Sequence, residues 1–290
     1  MPLSVVTGAT GGIGYETALG LARAGHHVVL TGRSAERGAA ALDRLRQALP
    51  GADAEFALLD MGRLADIAAF AAGWQRPLDV LVNNAGVMGF PERRLTADGF
   101  EQQFGINYLG HFALTLRLLP RLRDAGRPRV VNVSSLAHRS GRIDFDDLQG
   151  ERLYNPMRAY GQSKLAMLMF ALELQRRATA RGWPLLSLAA HPGWAATQIV
   201  LNGLGRGLRG RFIQAAFNLL AQSAADGAKP TLHAALAPDV TPGGYYGPDR
   251  LNETRGAPAP ARIMPQARDE AAAARLWSVS ELLAGVNISS

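Results

Sequence analysis

VVTGATGGIG, Val5–Gly14, carries a short apolar run into a helical pattern through glycines at 8, 12 and 14. LSVV (3–6) reads as a buried strand, and apolar residues then recur at helical spacing from Ile13 to Ala24. A strand that ends in G-x-x-x-G-x-G and opens a helix is a ready anion site. Glycine lets the backbone approach a phosphate, and the helix N-terminus offers unpaired N–H groups and positive potential. Glycines also make ordinary turns, so the loop gains meaning only from its surroundings.

Those surroundings alternate. Apolar runs at HHVVLT (26–31), EFALLD (55–60), DVLVNNAG (79–86), RVVNVSS (129–135) and LLSLAAH (185–191) read as strands. Helical patterns over 35–48, 63–73, about 98–123 and about 157–181 lie between them. Strands that are apolar throughout belong to a parallel sheet covered on both faces. Right-handed crossovers then give an α/β, doubly wound, Rossmann-like fold. No repeat or low-complexity linker interrupts it, so the 290 residues read as one domain, 1–290.

Bulk composition excludes several classes. No run reaches the ~18 apolar residues of a membrane span, so no stable membrane insertion is expected. The first residues lack a basic, signal-like region. Cysteine is absent, which removes disulfides and thiolate chemistry and fits a cytoplasmic protein. The net charge is +7, but the basic residues are scattered, so no nucleic-acid partner is expected. The six histidines show no metal-ligand spacing. Among 31 basic residues only Lys164 and Lys229 are lysine. Lys164 stands in YGQSK (160–164), one helical turn after Tyr160 and on the same face. A lysine kept in so arginine-rich a chain points to a need for a compact ammonium.

The second strand ends TGRS (31–34). A site for NAD usually carries an acid about 20 residues beyond the glycines, on the ribose hydroxyls. Here Arg33 holds that place, 19 residues after Gly14, with no acid between Thr31 and Ser34. A guanidinium pairs with a 2′-phosphate that a carboxylate would repel, so NADP(H) is the expected cofactor. Asp60, ending the third strand, is placed to accept from an adenine amino group. NNAG (83–86) ends the fourth beside the glycine loop, although its residues also suit a plain turn.

Taken in order, TGATGGIG, NNAG, a serine closing the fifth strand and Y-x-x-x-K resemble the short-chain dehydrogenase/reductase family over essentially the whole chain. The resemblance implies a catalytic tetrad. Tyr160 exchanges the proton, Lys164 biases the phenol and holds the nicotinamide ribose, and Ser135 hydrogen-bonds the substrate oxygen. Asn107 opens a helical hydrogen bond to a water that relays protons to Lys164. Ser134 is placed as well as Ser135 by sequence alone. A free tyrosine titrates at about 10, so a neighbouring ammonium that favours the phenolate eases exchange near neutral pH. The resemblance also implies cofactor contacts from Gly8, Thr10, Gly12, Ile13, Gly14, Arg33, Asp60, Met61, Asn83, Ala85 and Gly86, besides Tyr160 and Lys164. HPGWAAT (191–197) resembles the family's P-G-x-x-x-T segment, which adds Pro192, Gly193 and Thr197.

The long polar segment between Ser135 and Tyr160 resembles the retinol dehydrogenase and protochlorophyllide reductase-like branch. So do GHFALT (110–115), YYGP (245–248) and RLWSVSELLAGV (275–286). The branch implies reduction of a small hydrophobic aldehyde or ketone to its alcohol, or the reverse. A C=C reductase of the same family and a non-catalytic NADP(H)-binding sensor are the rivals. His138 reads as a surface-loop histidine, with the substrate pocket as the alternative. Glycines at 203, 205, 207 and 210 make about 194–222 a lid segment. Its stripe of Phe212, Ala216, Leu219 and Leu220 serves either the lid or a helix packed on the core. The resemblance implies a homodimer or homotetramer built on the helices near 100–123 and 157–181, with a monomer as the alternative if the C-terminal part covers them.

Overall fold

The computed structural model describes residues 1–194 and 222–288. An eight-stranded sheet with order β3-β2-β1-β4-β5-β6-β7-β8 forms its centre. The strands are β1 Leu3–Val6, β2 His27–Gly32, β3 Ala54–Leu58, β4 Val80–Asn83, β5 Arg129–Val133, β6 Leu186–Ala190, β7 Tyr245–Arg250 and β8 Arg255–Pro260. Strands β1 to β7 pair in parallel, and β8 returns antiparallel to β7 at the edge. The order reverses between β1 and β4, and such a switch point opens a crevice at the strands' carboxyl ends.

Two apolar layers clamp the sheet. Helices α1 (Gly12–Arg23), α2 (Ala35–Ala48) and α7 (Ala224–Leu236) cover one face. On the other lie α3 (Leu64–Gly73), α4 (Gln102–Phe104), α5 (Gly110–Arg123), α6 (Pro156–Ala180) and α8 (Glu270–Ala284). Helix α8 packs across α5 and α6 through Trp277, whose ring centroid lies 5.0 Å from that of Phe112 and 5.7 Å from that of Phe170. Among the described residues no helix is long and apolar enough to cross a membrane.

Local chemistry sets the helix starts. Asn155 caps α6 by accepting from Met157 and Arg158, with Pro156 in the first turn, where its missing N–H costs nothing. The helix expected from about 98 begins instead at Gln102. The buried Glu101 carboxylate takes the Gln103 and Phe104 N–H groups at 2.9 and 2.7 Å. Between α4 and α5 the chain makes a π-turn, Gly105–Leu109, centred on Asn107. Such turns widen the helical ladder and recur at functional sites.

Strands β7 and β8 are absent from the sequence reading. Their residues, YYGPDR and RGAPAP, mix glycine, proline and charge. Pro258 and Pro260 are tolerated because β8 is an edge strand, and Pro248 lies beyond the β7 residues that pair with β6.

Candidate active site

The glycine loop closes on itself. Gly8 and Gly12 have φ of +66° and +55°, a left-handed region that favours glycine. A Cβ on Gly14 would overlap the Gly8 carbonyl and the Asn84 amide. Helix α1 begins at Gly12 with no side-chain cap and no acid in its first turn. Its first N–H groups therefore suit an anionic pyrophosphate. Ile13 is buried against Ala228 and Leu232 of α7, and Thr10 lies against Gly32 at the end of β2, next to the exposed Arg33. Arg33 takes no part in the ion pairs among the described residues. The donor set and the close glycine contacts fit a dinucleotide phosphate, with Arg33 free to meet a further one.

Asp60 accepts from the Gly62 N–H at 2.9 Å, which turns the chain after β3, and Met61 beside it is buried. The NNAG residues divide their labour. Asn83 points into the core, where its amide donates to Thr115 and Asn132, both at 2.9 Å. Asn84 instead donates to the Thr7 carbonyl at 2.7 Å and packs against Gly14. The Asn84 and Ala85 N–H groups both donate to the Thr7 hydroxyl, at 2.8 and 2.9 Å. A Cβ on Gly86 would stand 3.2 Å from the Asn107 Oδ1 and 3.6 Å from the Lys164 Nζ. Gly86 thus lies close to both the Asn107 amide and the Lys164 ammonium.

Lys164 is buried in α6 and donates to the Val133 carbonyl at 3.0 Å. Its Nζ lies 5.8 Å from the centroid of the Tyr160 ring. Burial pulls the ammonium down to about 8. Burial also pushes the Tyr160 phenol above its usual range, and a hydrogen bond with Ser135 offsets part of that rise. In the protein alone the phenol is held protonated rather than as phenolate, whatever bias the nearby ammonium adds.

The two serines that follow β5 have different partners. Ser134 donates to the Lys164 carbonyl at 2.7 Å and is buried. Ser135 meets Tyr160, and its Oγ accepts from Ala137 at 3.2 Å, opening the short 3-10 turn Leu136–Ser140.

Asn107 is clamped by its amide. Oδ1 accepts from Val87 N–H at 2.7 Å, while Nδ2 donates to the Val87 carbonyl at 2.9 Å and to Ser163 Oγ at 3.0 Å. Its own carbonyl accepts from His111 Nδ1 at 2.9 Å. A carbonyl can only accept, so His111 carries its proton on Nδ1, and Nε2 accepts from the Thr7 hydroxyl at 2.9 Å. Burial, the largest influence, holds His111 down at about 3, so the ring stays neutral. Thr7, His111 and Ser163 are not singled out by the sequence, although His111 and Ser163 lie inside GHFALT and YGQSK. Asn84 is the second residue of NNAG, whose first residue, Asn83, is the expected contact.

His138 is wholly buried, and not the surface-loop histidine expected. Its Nδ1 donates to the Ser135 carbonyl at 2.7 Å. Pro192 and Gly193 follow β6, and Gly193 adopts φ +65° against the Thr254 carbonyl. Thr197 and the lid segment of about 194–222, apart from its end residues Trp194 and Gln222, lie outside the described residues.

The branch-specific insertion is pinned rather than loose. Gln162 of α6 accepts from Asp144 N–H at 2.8 Å and donates to the Leu148 carbonyl at 3.0 Å. Tyr154 donates to the buried Glu101 at 3.2 Å.

Comparison with known proteins shows the family and the fold. The family model described as short chain dehydrogenase matches residues 3–202. A polyprenol dehydrogenase of Mus musculus is 42% identical over 293 residues, spanning 98% of this chain and 84% of its own. Retinol dehydrogenase 12 of Mus musculus is 40% identical over 286 residues, spanning 97% and 86%. The crystal structure of an uncharacterized protein from Mycobacterium paratuberculosis superposes with a TM-score of 0.82 at 40% identity. It covers 100% of this chain and 96% of that one.

Proposed function

The chain belongs to the short-chain dehydrogenase family, in its retinol dehydrogenase-like branch, and from that premise we propose an NADP(H)-dependent oxidoreductase of hydrophobic aldehydes, ketones and alcohols. The family makes it an NAD(P)-dependent oxidoreductase, and the finer reading rests on this chain's own residues. The observation that carries it is the buried Lys164 ammonium, held by the Val133 carbonyl and standing between Tyr160 and Gly86.

Held at the glycine loop and against Lys164, NADP(H) would supply the hydride chemistry at the carbonyl carbon. Tyr160, kept protonated by burial, is the proton donor to the carbonyl oxygen in reduction. The Ser135 hydroxyl shares a hydrogen bond with Tyr160 and orients that oxygen. Lys164 supplies the positive charge that favours the phenolate left behind. Asn107 holds the Val87 backbone and Ser163 in register with it. Arg33 supports the 2′-phosphate form of the cofactor, since no acid stands at the end of β2. The relatives named for polyprenol and retinol support a long, apolar alcohol or aldehyde as substrate class.

The test is NADPH oxidation against a panel of aliphatic and isoprenoid aldehydes, with Tyr160→Phe alongside and NADH in parallel. Turnover that prefers NADPH and falls about 10²- to 10⁴-fold in Tyr160→Phe supports the proposal. Turnover that survives the substitution, or prefers NADH, overturns it.

A further inference from the structure

A buried polar cluster that the chemistry above does not use stands behind the site. His191 directly follows β6, just before Pro192, and is fully buried. Its Nδ1 lies 3.2 Å from the Gly193 N–H, which can only donate. Nδ1 is therefore the bare acceptor, and the ring proton sits on Nε2. That proton points at Glu253 Oε2, 3.0 Å away. Burial holds His191 below the usual histidine range against the pull of Glu253, so the ring stays neutral with this tautomer.

Glu253 has donors on every side. Its Oε2 also pairs with the Arg139 guanidinium at 2.8 Å, and its Oε1 accepts from Arg262 N–H at 3.0 Å. Burial works against the charge, but His191, Arg262 and Arg139 outweigh it and hold the carboxyl down at about 2. Only an ionised carboxylate offers acceptors to all three. A glutamine would turn an NH₂ toward at least one donor.

The surrounding backbone is shaped for this contact. Leu251, Asn252 and Glu253 all have positive φ, 49°, 56° and 66°, a conformation L-residues rarely hold in succession. Arg139, four residues after Ser135, grips the same turn through Asn252 Oδ1 at 3.2 Å. A Cβ on Gly247 would overlap the His191 ring, so glycine there makes room for it. The Thr254 carbonyl accepts from Trp194 N–H at 2.8 Å.

We propose that Glu253 is a positioning residue. From the tip of the β7–β8 hairpin it fixes the tautomer of His191, and through that ring the backbone turn at Pro192–Gly193. The inference rests on the proposed function, in which this turn borders the nicotinamide end of the cofactor site. The same carboxylate pairs with Arg139, which secures the hairpin tip, while the effect on the cofactor site runs through the His191 ring.

The experiment measures NADPH binding by fluorescence, with a thermal melt of each variant as the folding control. Glu253→Gln is expected to raise the NADPH dissociation constant about tenfold, the effect of one misdirected buried hydrogen bond. His191→Leu, which keeps volume but offers no acceptor, is expected to match it. His191→Asn, whose Oδ1 can still accept from the Gly193 N–H, is expected to rescue most of what His191→Leu loses. Adding Glu253→Gln to His191→Asn is expected to cost less than about twofold, because the ring that transmits the effect is gone. Unchanged binding in folded Glu253→Gln, additive effects in the double variant, or equal losses in His191→Leu and His191→Asn would each overturn the proposal. The histidine pair decides the matter even where Glu253→Gln does not fold. A wild type that fails to bind NADPH strikes at the proposed function instead.

Discussion

His111 and Thr7 stand 104 residues apart in the chain and 2.9 Å apart in space, joined by a hydrogen bond whose direction the Asn107 carbonyl dictates. This bond ties the π-turn at Asn107 to the end of β1, where the Thr7 hydroxyl also takes two N–H groups of the NNAG loop. The glycine loop and the start of α5 are thereby held to one reference point.

Protonating His111 would break that bond. Its value in the folded protein lies near 3, below the ordinary 6.5, so the folded chain binds fewer protons than the unfolded one. Stability is then fully present above about pH 6.5 and falls as the pH drops toward 3. Buried His26, His138 and His191 shift in the same direction and share the slope. Urea unfolding of His111→Gln between pH 7 and 4 is expected to show a slope shallower by about 1.4 kcal/mol per pH unit, the share of one proton. An unchanged slope would place the acid sensitivity elsewhere.

Lys164 sets a second pH limit. Its ammonium loses the proton near 8, well below the ordinary lysine value. The kcat/KM for carbonyl reduction reports groups of the free enzyme, so it is expected to fall on an alkaline limb near pH 8. Lys164→Arg is expected to remove activity rather than move the limb. A guanidinium is larger and planar, and does not reproduce the compact Nζ contacts with the Val133 carbonyl and beside Gly86.

Neighbouring serines are expected to separate cleanly. Ser134→Ala leaves the Lys164 carbonyl without its side-chain donor and is expected to cost about 1 kcal/mol of stability, with kcat nearly unchanged. Ser135→Ala is expected to lower kcat at least tenfold with little change in melting temperature. Paired melts and rate measurements check both, and equal effects at the two positions would defeat the division.

Arg33 is expected to act on one cofactor only. Arg33→Ala is expected to weaken NADPH about 10- to 100-fold, the strength of a lost charge-assisted hydrogen bond, while NADH binding stays within about threefold. Parallel titrations of the two nucleotides decide it.

The legible part of this protein is the part built from local pattern. Strands β1, β2, β4, β5 and β6 are buried on both faces and appear as mostly apolar runs, β3 is half-exposed but still reads EFALLD, and the glycine loop and Y-x-x-x-K sit at fixed distances from them. β7 and β8 hide because their pairing tolerates proline, glycine and charge. Within the site, Asn83 was readable as part of NNAG, but its side chain turns into the core and leaves the loop contacts to Asn84. The Thr7–His111 and His191–Glu253 contacts span 104 and 62 residues, and no periodicity encodes a meeting of that kind. Ser134 and Ser135 are equivalent as letters, and only the alternation of side chains at the end of β5 separates them.

Trp277 closes the aromatic group of Tyr108, Phe112 and Phe170, yet it leaves the ribosome about a hundred residues after the last of these. At a synthesis rate of about 5–20 residues per second, the face of α5 and α6 stays bare for about 5–20 s in every nascent chain. During that interval a neighbouring nascent chain, offering the same two bare helices, is a competitor for the place α8 will take. The seal that finishes the native protein is thus also a timer, and crowded translation is where it runs late.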